Sequence, residues 1–113
     1  MEQAARRWPA APLAERSTLL RAAAGLLRER ADDLARLAAL EMGKPVAQGR
    51  AEVEKCALVC DHYADHGPDD LADESVPTGA ARSAVVYQPL GTVLGIMPWN
   101  FPFWQVFRYA APS

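Results

Sequence analysis

Asn100 lies in the stretch Pro98-Trp99-Asn100-Phe101-Pro102, where one primary amide follows a run that is apolar almost throughout, Thr92-Val93-Leu94-Gly95-Ile96-Met97. A carboxamide N–H is a neutral donor, and when packing fixes it in place it stabilises a carbonyl oxygen that gains negative charge during reaction. Pro98 and Pro102 fix their own φ and restrict Met97 and Phe101, so the backbone on either side of the amide is stiff. The chemistry this favours is addition to a carbonyl, with Asn100 as the catalytic oxyanion donor. A second role fits the same residue, since Asn one or two positions before a proline in the first turn of a helix also serves as a cap. The local pattern leaves both roles open.

Other reactive side chains point elsewhere. Cys56 and Cys60 are four apart in a helical pattern, so they share a face without taking up disulfide geometry. Each lies inside an amphipathic helix, away from a helix N-terminus that would favour thiolate, and is expected to be reduced, buried and structural. His62 and His66 are near them, but no second ligand cluster at metal-binding spacing follows, so no metal centre is expected. The acidic group Asp69, Asp70, Asp73 and Glu74 lacks the ligand spacing of a calcium loop.

The elements that must position Asn100 can be read around it. Thr92 to Met97 does not alternate, which is the pattern of a strand covered on both faces of a parallel sheet, and ligands collect at the C-terminal ends of such strands. No second run of that kind occurs, and a lone buried strand leaves backbone groups unpaired on both edges, so the sequence is expected to be part of a larger enzyme. Upstream, Pro12 and Glu15 suit a helix start, and Leu13, Leu19, Leu20, Ala23, Leu26 and Leu27 form its stripe. A break near Arg30 precedes a second stripe of Leu34, Leu37, Ala38 and Met42, closed by Gly43 as a left-handed cap and by Pro45. A third helix from Pro45 gathers Val46, Gly49, Val53, Cys56, Ala57, Cys60 and Ala64 on one side. Gly25 and Gly49, each costly inside a helix, mark expected close contacts, with simple tolerance as the alternative.

The resulting division is a helical part over 1–66, a polar connector over 67–81, a strand with its turn over 82–91, and then 92–113 with the buried-type strand, the proline-flanked turn and the start of a helix. The strand of the third part is Ser83-Ala84-Val85-Val86-Tyr87-Gln88, whose incomplete alternation suggests pairing with something outside itself. The fold class is α/β.

With 12 Lys+Arg against 14 Asp+Glu and a net charge of −2, the 113-residue chain has no electrostatic footprint for nucleic acid or an anionic membrane surface. Residues 1–9 contain no apolar h-region, so a secretory signal is not expected and cytoplasmic retention is the default. Thr92 to Phe107 includes two prolines, Asn100 and Gln105, and falls short of the roughly 20 apolar residues a membrane-spanning helix needs.

Gly95-Ile96-Met97-Pro98-Trp99-Asn100-Phe101-Pro102 resembles the signature at the end of the first nucleotide-binding strand of the aldehyde dehydrogenase superfamily. Leu40 to Pro45, Ala51 to Cys56 and Tyr87 to Gly91 are similar to further segments of that superfamily, in the same order. The resemblance extends over nearly the whole chain from Trp8 onward. It implies the N-terminal helical part and first strand of a Rossmann-like dinucleotide-binding domain, incomplete, with the strand over 82–91 of the oligomerisation type and a homo-oligomer when full length.

By the same resemblance the cofactor is NAD or NADP and the substrate a small-molecule aldehyde. The family reaction is attack of a cysteine thiolate on the aldehyde, hydride transfer to the nicotinamide, and hydrolysis of the thioester by water activated by a glutamate. Asn100 corresponds to the oxyanion donor, Ile96, Met97, Pro98 and Trp99 to the wall of the nicotinamide and its ribose, and Phe101 to a wall of the substrate channel. The family's nucleophilic cysteine and general-base glutamate correspond to no residue of this chain, which is therefore expected to be inactive alone. In the succinate-semialdehyde dehydrogenase branch an arginine at the offset of Arg108 grips the substrate carboxylate, and Phe103 to Arg108 resembles a bacterial subgroup of it. An ion pair between elements is the other reading of Arg108. A different class of function, a non-catalytic module that associates with full-length relatives through the exposed 83–88 strand, fits the same sequence.

Overall fold

Pro12, at φ −56° and ψ 144°, stands just before helix α1 (Leu13–Glu29), with Glu15 in the first turn where the helix dipole favours a carboxylate. The computed structural model describes residues 7–113; the reading of the N-terminus over 1–6 lies outside them. Arg30, at φ −102°, turns the chain into α2 (Ala31–Met42), whose first turn carries Asp32 and Asp33. Gly43 adopts φ 73° and its N–H bonds the Ala39 carbonyl, a left-handed cap that a Cβ would strain. Pro45 then precedes α3 (Val46–Asp70).

The three helices form one layer of contacts centred on α3. Helix α1 lies antiparallel to it, joined by Arg21–Asp65, Arg28–Glu54 and Arg28–Asp61 ion pairs, and α2 is joined to it by Arg50–Asp32. All four are exposed pairs that fix register more than they stabilise. Beneath them lies a core of small side chains, Ala24, Leu27, Ala31, Val53, Cys56, Ala57 and Cys60. The apolar period of α3 predicts its buried face well, except that Val46 is exposed and Glu52 is buried. The α1 face differs from expectation: Ser17, Ala24 and Leu27 are buried, whereas Leu19 and Leu26 are exposed. Close approach of α3 selects the small residues of α1, and leucines one step round the helix are left outside.

Helix α3 continues to Asp70, into the stretch expected as a connector, despite Pro68 in its last turns. Proline lacks the N–H that would bond the carbonyl four residues back. Arg21 Nη2 reaches across from α1 to that carbonyl, Ala64 O, at 3.3 Å. The helix therefore survives its proline because another element supplies the missing donor.

The connector also contains a strand. β1 (Glu74–Ser75) pairs antiparallel with β2 (Ala84–Val85), Glu74 opposite Val85 and Ser75 opposite Ala84. The Tyr87 hydroxyl donates to Glu74 Oε1 at 2.9 Å, and Thr78 and Ser83 hydroxyls meet at 2.6 Å. Within the described residues only Ala84 and Val85 of the 83–88 strand enter a ladder, with Glu74 and Ser75. Thr92 to Met97 forms no ladder among the described residues, since neither edge is offered a neighbouring strand there. Gly95 lies against Tyr109, whose ring a Cβ there would approach to 2.8 Å. The last helix, α4 (Trp104–Ala110), returns to pack Phe103, Trp104, Phe107 and Ala111 against the core.

The shape is elongated, 60 × 28 × 23 Å, with a radius of gyration of 17.6 Å where a compact chain of this length has about 13 Å. Consistent with that, Leu90, Leu94 and Ile96 are more than four-fifths exposed.

The glycines separate cleanly. A Cβ at Gly49 would lie 3.1 Å from Ala35 Cα, whereas one at Gly25 meets nothing within 4 Å, so only Gly49 marks a close helix contact. Gly25→Ala is expected to stabilise the chain by roughly 0.5–1 kcal/mol and Gly49→Ala to destabilise it by about 1–2 kcal/mol, read as opposite shifts of the urea midpoint.

Candidate functional site

The turn that carries Asn100 is held at both ends by two buried charged residues. Lys44 follows the left-handed Gly43 and is buried, and its ammonium pairs with Glu52, which α3 presents on its core face. Lys44 Nζ also donates to the backbone carbonyl of Asn100 at 3.2 Å and stands 4.0 Å from the centre of the Phe101 ring, a cation–π contact. On the far side of the turn, Glu52 Oε1 accepts the N–H groups of Phe103 and Trp104, both at 2.9 Å. These are donors at the start of α4 that the helix itself leaves unsatisfied, and the helix dipole favours a carboxylate there. Lys55 covers the Trp104 ring at 3.8 Å, closing the same surface from the next turn of α3.

In this geometry the capping role is filled by Glu52 and not by Asn100. Glu52 occupies the N–H groups that Asn100 would have capped, and the Asn100 side chain is exposed beyond the turn. An amide left out of the capping is free to donate to a ligand. Trp99 and Ile96 are exposed beside it, Met97 is half-buried, Pro98 is exposed, and Phe101 is partly covered by Lys44. Arg108 is exposed on α4 and enters no ion pair among the described residues. Trp104, by contrast, packs inward with Phe107, so it does not share the open side with Arg108. The recess formed by Lys44, Gln48, Lys55, Phe101 and Trp104 contains neither Asn100 nor Arg108 and is part of the support of the turn.

Glu52 and Lys44 are the residues that sequence reasoning missed. Both fall in segments whose similarity was noted without a role. The available signal was a carboxylate at a core position of the α3 stripe and a lysine directly after a helix-terminating glycine.

The cysteines are not nucleophiles in this fold. Both are free and fully buried. Burial pushes the Cys56 thiol up to about 12 from an ordinary value of 9.0, with the charge of Glu52 adding to the effect, and burial likewise raises Cys60. Because the folded value lies above the unfolded one, the stability contributed by the protonated Cys56 is intact below about pH 9 and is lost as pH rises towards about 12. The thermal midpoint is expected to drop by about 5 °C between pH 9 and pH 10 from this residue, a drop missing in Cys56→Ala when the two melting curves are compared. No group of three or more His, Cys, Asp or Glu suited to a metal ion exists among the described residues. No helix among them is long and apolar enough to cross a membrane.

Comparison with known proteins adds four findings. The model of the aldehyde dehydrogenase family matches residues 1–113. The chain is 58% identical over 102 residues to a probable succinate-semialdehyde dehydrogenase [NADP(+)] of Synechocystis, covering 90% of this chain and 22% of that protein. It is 46% identical over 107 residues to a succinate semialdehyde dehydrogenase [NAD(P)+] of Escherichia coli, covering 95% and 23%. Among solved structures, a succinic semialdehyde dehydrogenase from Streptococcus pyogenes in complex with NADP+ superimposes with a TM-score of 0.90 at 32% identity, covering 96% of this chain and 24% of that one. The chain thus spans less than a quarter of the length of these relatives, and its helical part with the turn that follows has their fold.

Proposed function

Since the chain belongs to the aldehyde dehydrogenase family, we propose that it supplies the oxyanion side and part of the cofactor wall of an enzyme that oxidises a small aldehyde to its carboxylate. The observation that carries this reading is the exposed amide of Asn100 on a turn whose own hydrogen-bonding needs are met by Lys44 and Glu52. A donor fixed by its backbone and unengaged by its neighbours reorganises little when negative charge develops on the aldehyde oxygen.

Exposed apolar side chains at Ile96 and Trp99, with peptide groups over 91–98 outside any helix or ladder, fit one wall of a nicotinamide and its ribose. Met97 and Pro98 complete that wall. Bound NAD or NADP would supply the hydride acceptor, and the relatives' names favour NADP. Phe101 lines the substrate channel with its ring held by Lys44, and Arg108 takes the far carboxylate of a short substrate such as succinate semialdehyde. The β1–β2 hairpin, with Val85, Val86 and Tyr87 exposed, is assigned to contacts within a cytoplasmic homo-oligomer.

Neither cysteine of the chain is a thiolate near neutral pH. The purified 113-residue chain is therefore expected to form no reduced cofactor from succinate semialdehyde with NAD or NADP above the protein-free rate. Turnover abolished by Cys56→Ala or Cys60→Ala would overturn this assignment.

A further inference from the structure

We propose that Glu52 and Lys44 are positioning residues for catalysis, acting together as a buried clamp that sets where the Asn100 amide stands. The inference rests on the oxyanion role of Asn100 and goes beyond it. Four contacts converge on the turn from one ion pair: Glu52 Oε1 accepts from Phe103 and Trp104 N–H, and Lys44 Nζ bonds the Asn100 carbonyl and faces the Phe101 ring. Both side chains of the pair are almost fully buried.

Burying two charges is expensive, and a hydrophobic pair of the same volume would often be as stable. What such a pair can do that a hydrophobic pair cannot is fix backbone groups at stated positions. Here those backbone groups are the carbonyl of Asn100 itself and two N–H groups just beyond it at the start of α4. Lys44 holds the peptide immediately after the Asn100 Cα, and Glu52 holds the start of α4 three and four residues on. The neighbouring prolines limit the remaining torsions. A displacement of about 1 Å at a reacting group is enough to cost about 10²-fold in rate.

The clamp holds the turn by polar contacts that are additional to the packing of Phe103 and Trp104 against the core. Val53, Cys56 and Cys60 take part in none of the turn's backbone hydrogen bonds, which run to Lys44 and Glu52. Loss of stability and loss of positioning can therefore be separated by experiment.

The test uses a full-length dehydrogenase carrying this segment, with kcat and both KM values measured for Glu52→Ala, Asn100→Ala and the double variant. Glu52→Ala is expected to lower kcat by about 10- to 100-fold with KM for the cofactor changed less than about threefold. The double variant is expected within about threefold of Asn100→Ala, because a misplaced donor and an absent donor fail in the same way. Gly49→Ala, matched for loss of melting temperature, is expected to leave kcat unchanged. If Glu52→Ala is insoluble, Lys44→Met combined with Glu52→Leu replaces the pair by apolar side chains of similar volume and removes the acceptor for Phe103 and Trp104 N–H, and the same cycle is run on that pair. Effects of the clamp and of Asn100→Ala that multiply, or an unchanged kcat in the clamp variant, would overturn the positioning role. An unchanged kcat in Asn100→Ala would instead sink the oxyanion assignment itself.

Discussion

Asn100→Ala, made in a full-length dehydrogenase that carries this segment, is expected to lower kcat by about 10²- to 10³-fold and to leave KM for the cofactor within about threefold. Lys44 and Glu52 satisfy the backbone around the residue, so the amide is engaged in neither capping nor the ion pair. Removing it should therefore leave α4 in place, and circular dichroism and melting of the variant should match the parent. A transition-state donor is lost without a ground-state contact, which is the pattern that reduces kcat and kcat/KM together. Asn100→Asp should be at least as damaging, since a carboxylate beside the developing oxyanion offers repulsion in place of a donor. Full turnover in Asn100→Ala would sink the assignment.

Arg108→Gln is expected to lower kcat/KM for succinate semialdehyde by about 30- to 100-fold and to change that for an uncharged aldehyde of equal length less than about threefold. The guanidinium is exposed on α4 and unpaired among the described residues, so its charge is not already spent on a neighbour. A bidentate contact to a carboxylate contributes by charge and by fork geometry. Arg108→Lys, which keeps only the charge, should fall between the two. Equal losses for the charged and uncharged aldehydes would show that Arg108 supports the helix and does not read the substrate.

How far the fold was legible depended on whether its cause was local. Gly43 and Pro45 announce the α2–α3 break because a left-handed cap and a missing N–H are properties of single residues. The buried face of α3 follows the helical period because that helix lies at the centre of the layer. The α1 stripe misled because its leucines are spread round the helix, and only the neighbour's approach selects Ala24 and Leu27 over Leu19 and Leu26. Thr92 to Met97 has the composition of a buried strand, yet composition cannot supply the adjacent strands that would pair it. The pentapeptide around Asn100 was legible by its stiffness and its resemblance. Its support was not, because Glu52 precedes Phe103 by 51 positions and a carboxylate does not reveal a distant backbone partner by its type.

The proline of α3 has a consequence for alignment between helices. Ala64 is buried, and its carbonyl finds a donor only because Arg21 stands at one height along α1. Sliding α1 by a turn in either direction would withdraw that guanidinium and leave a shielded oxygen without company, at a cost of order 1–3 kcal/mol. Pro68 thus acts as a keyway that admits α1 at a single axial setting. Pro68→Ala, by restoring the amide, would loosen the lock while making the helix itself more regular.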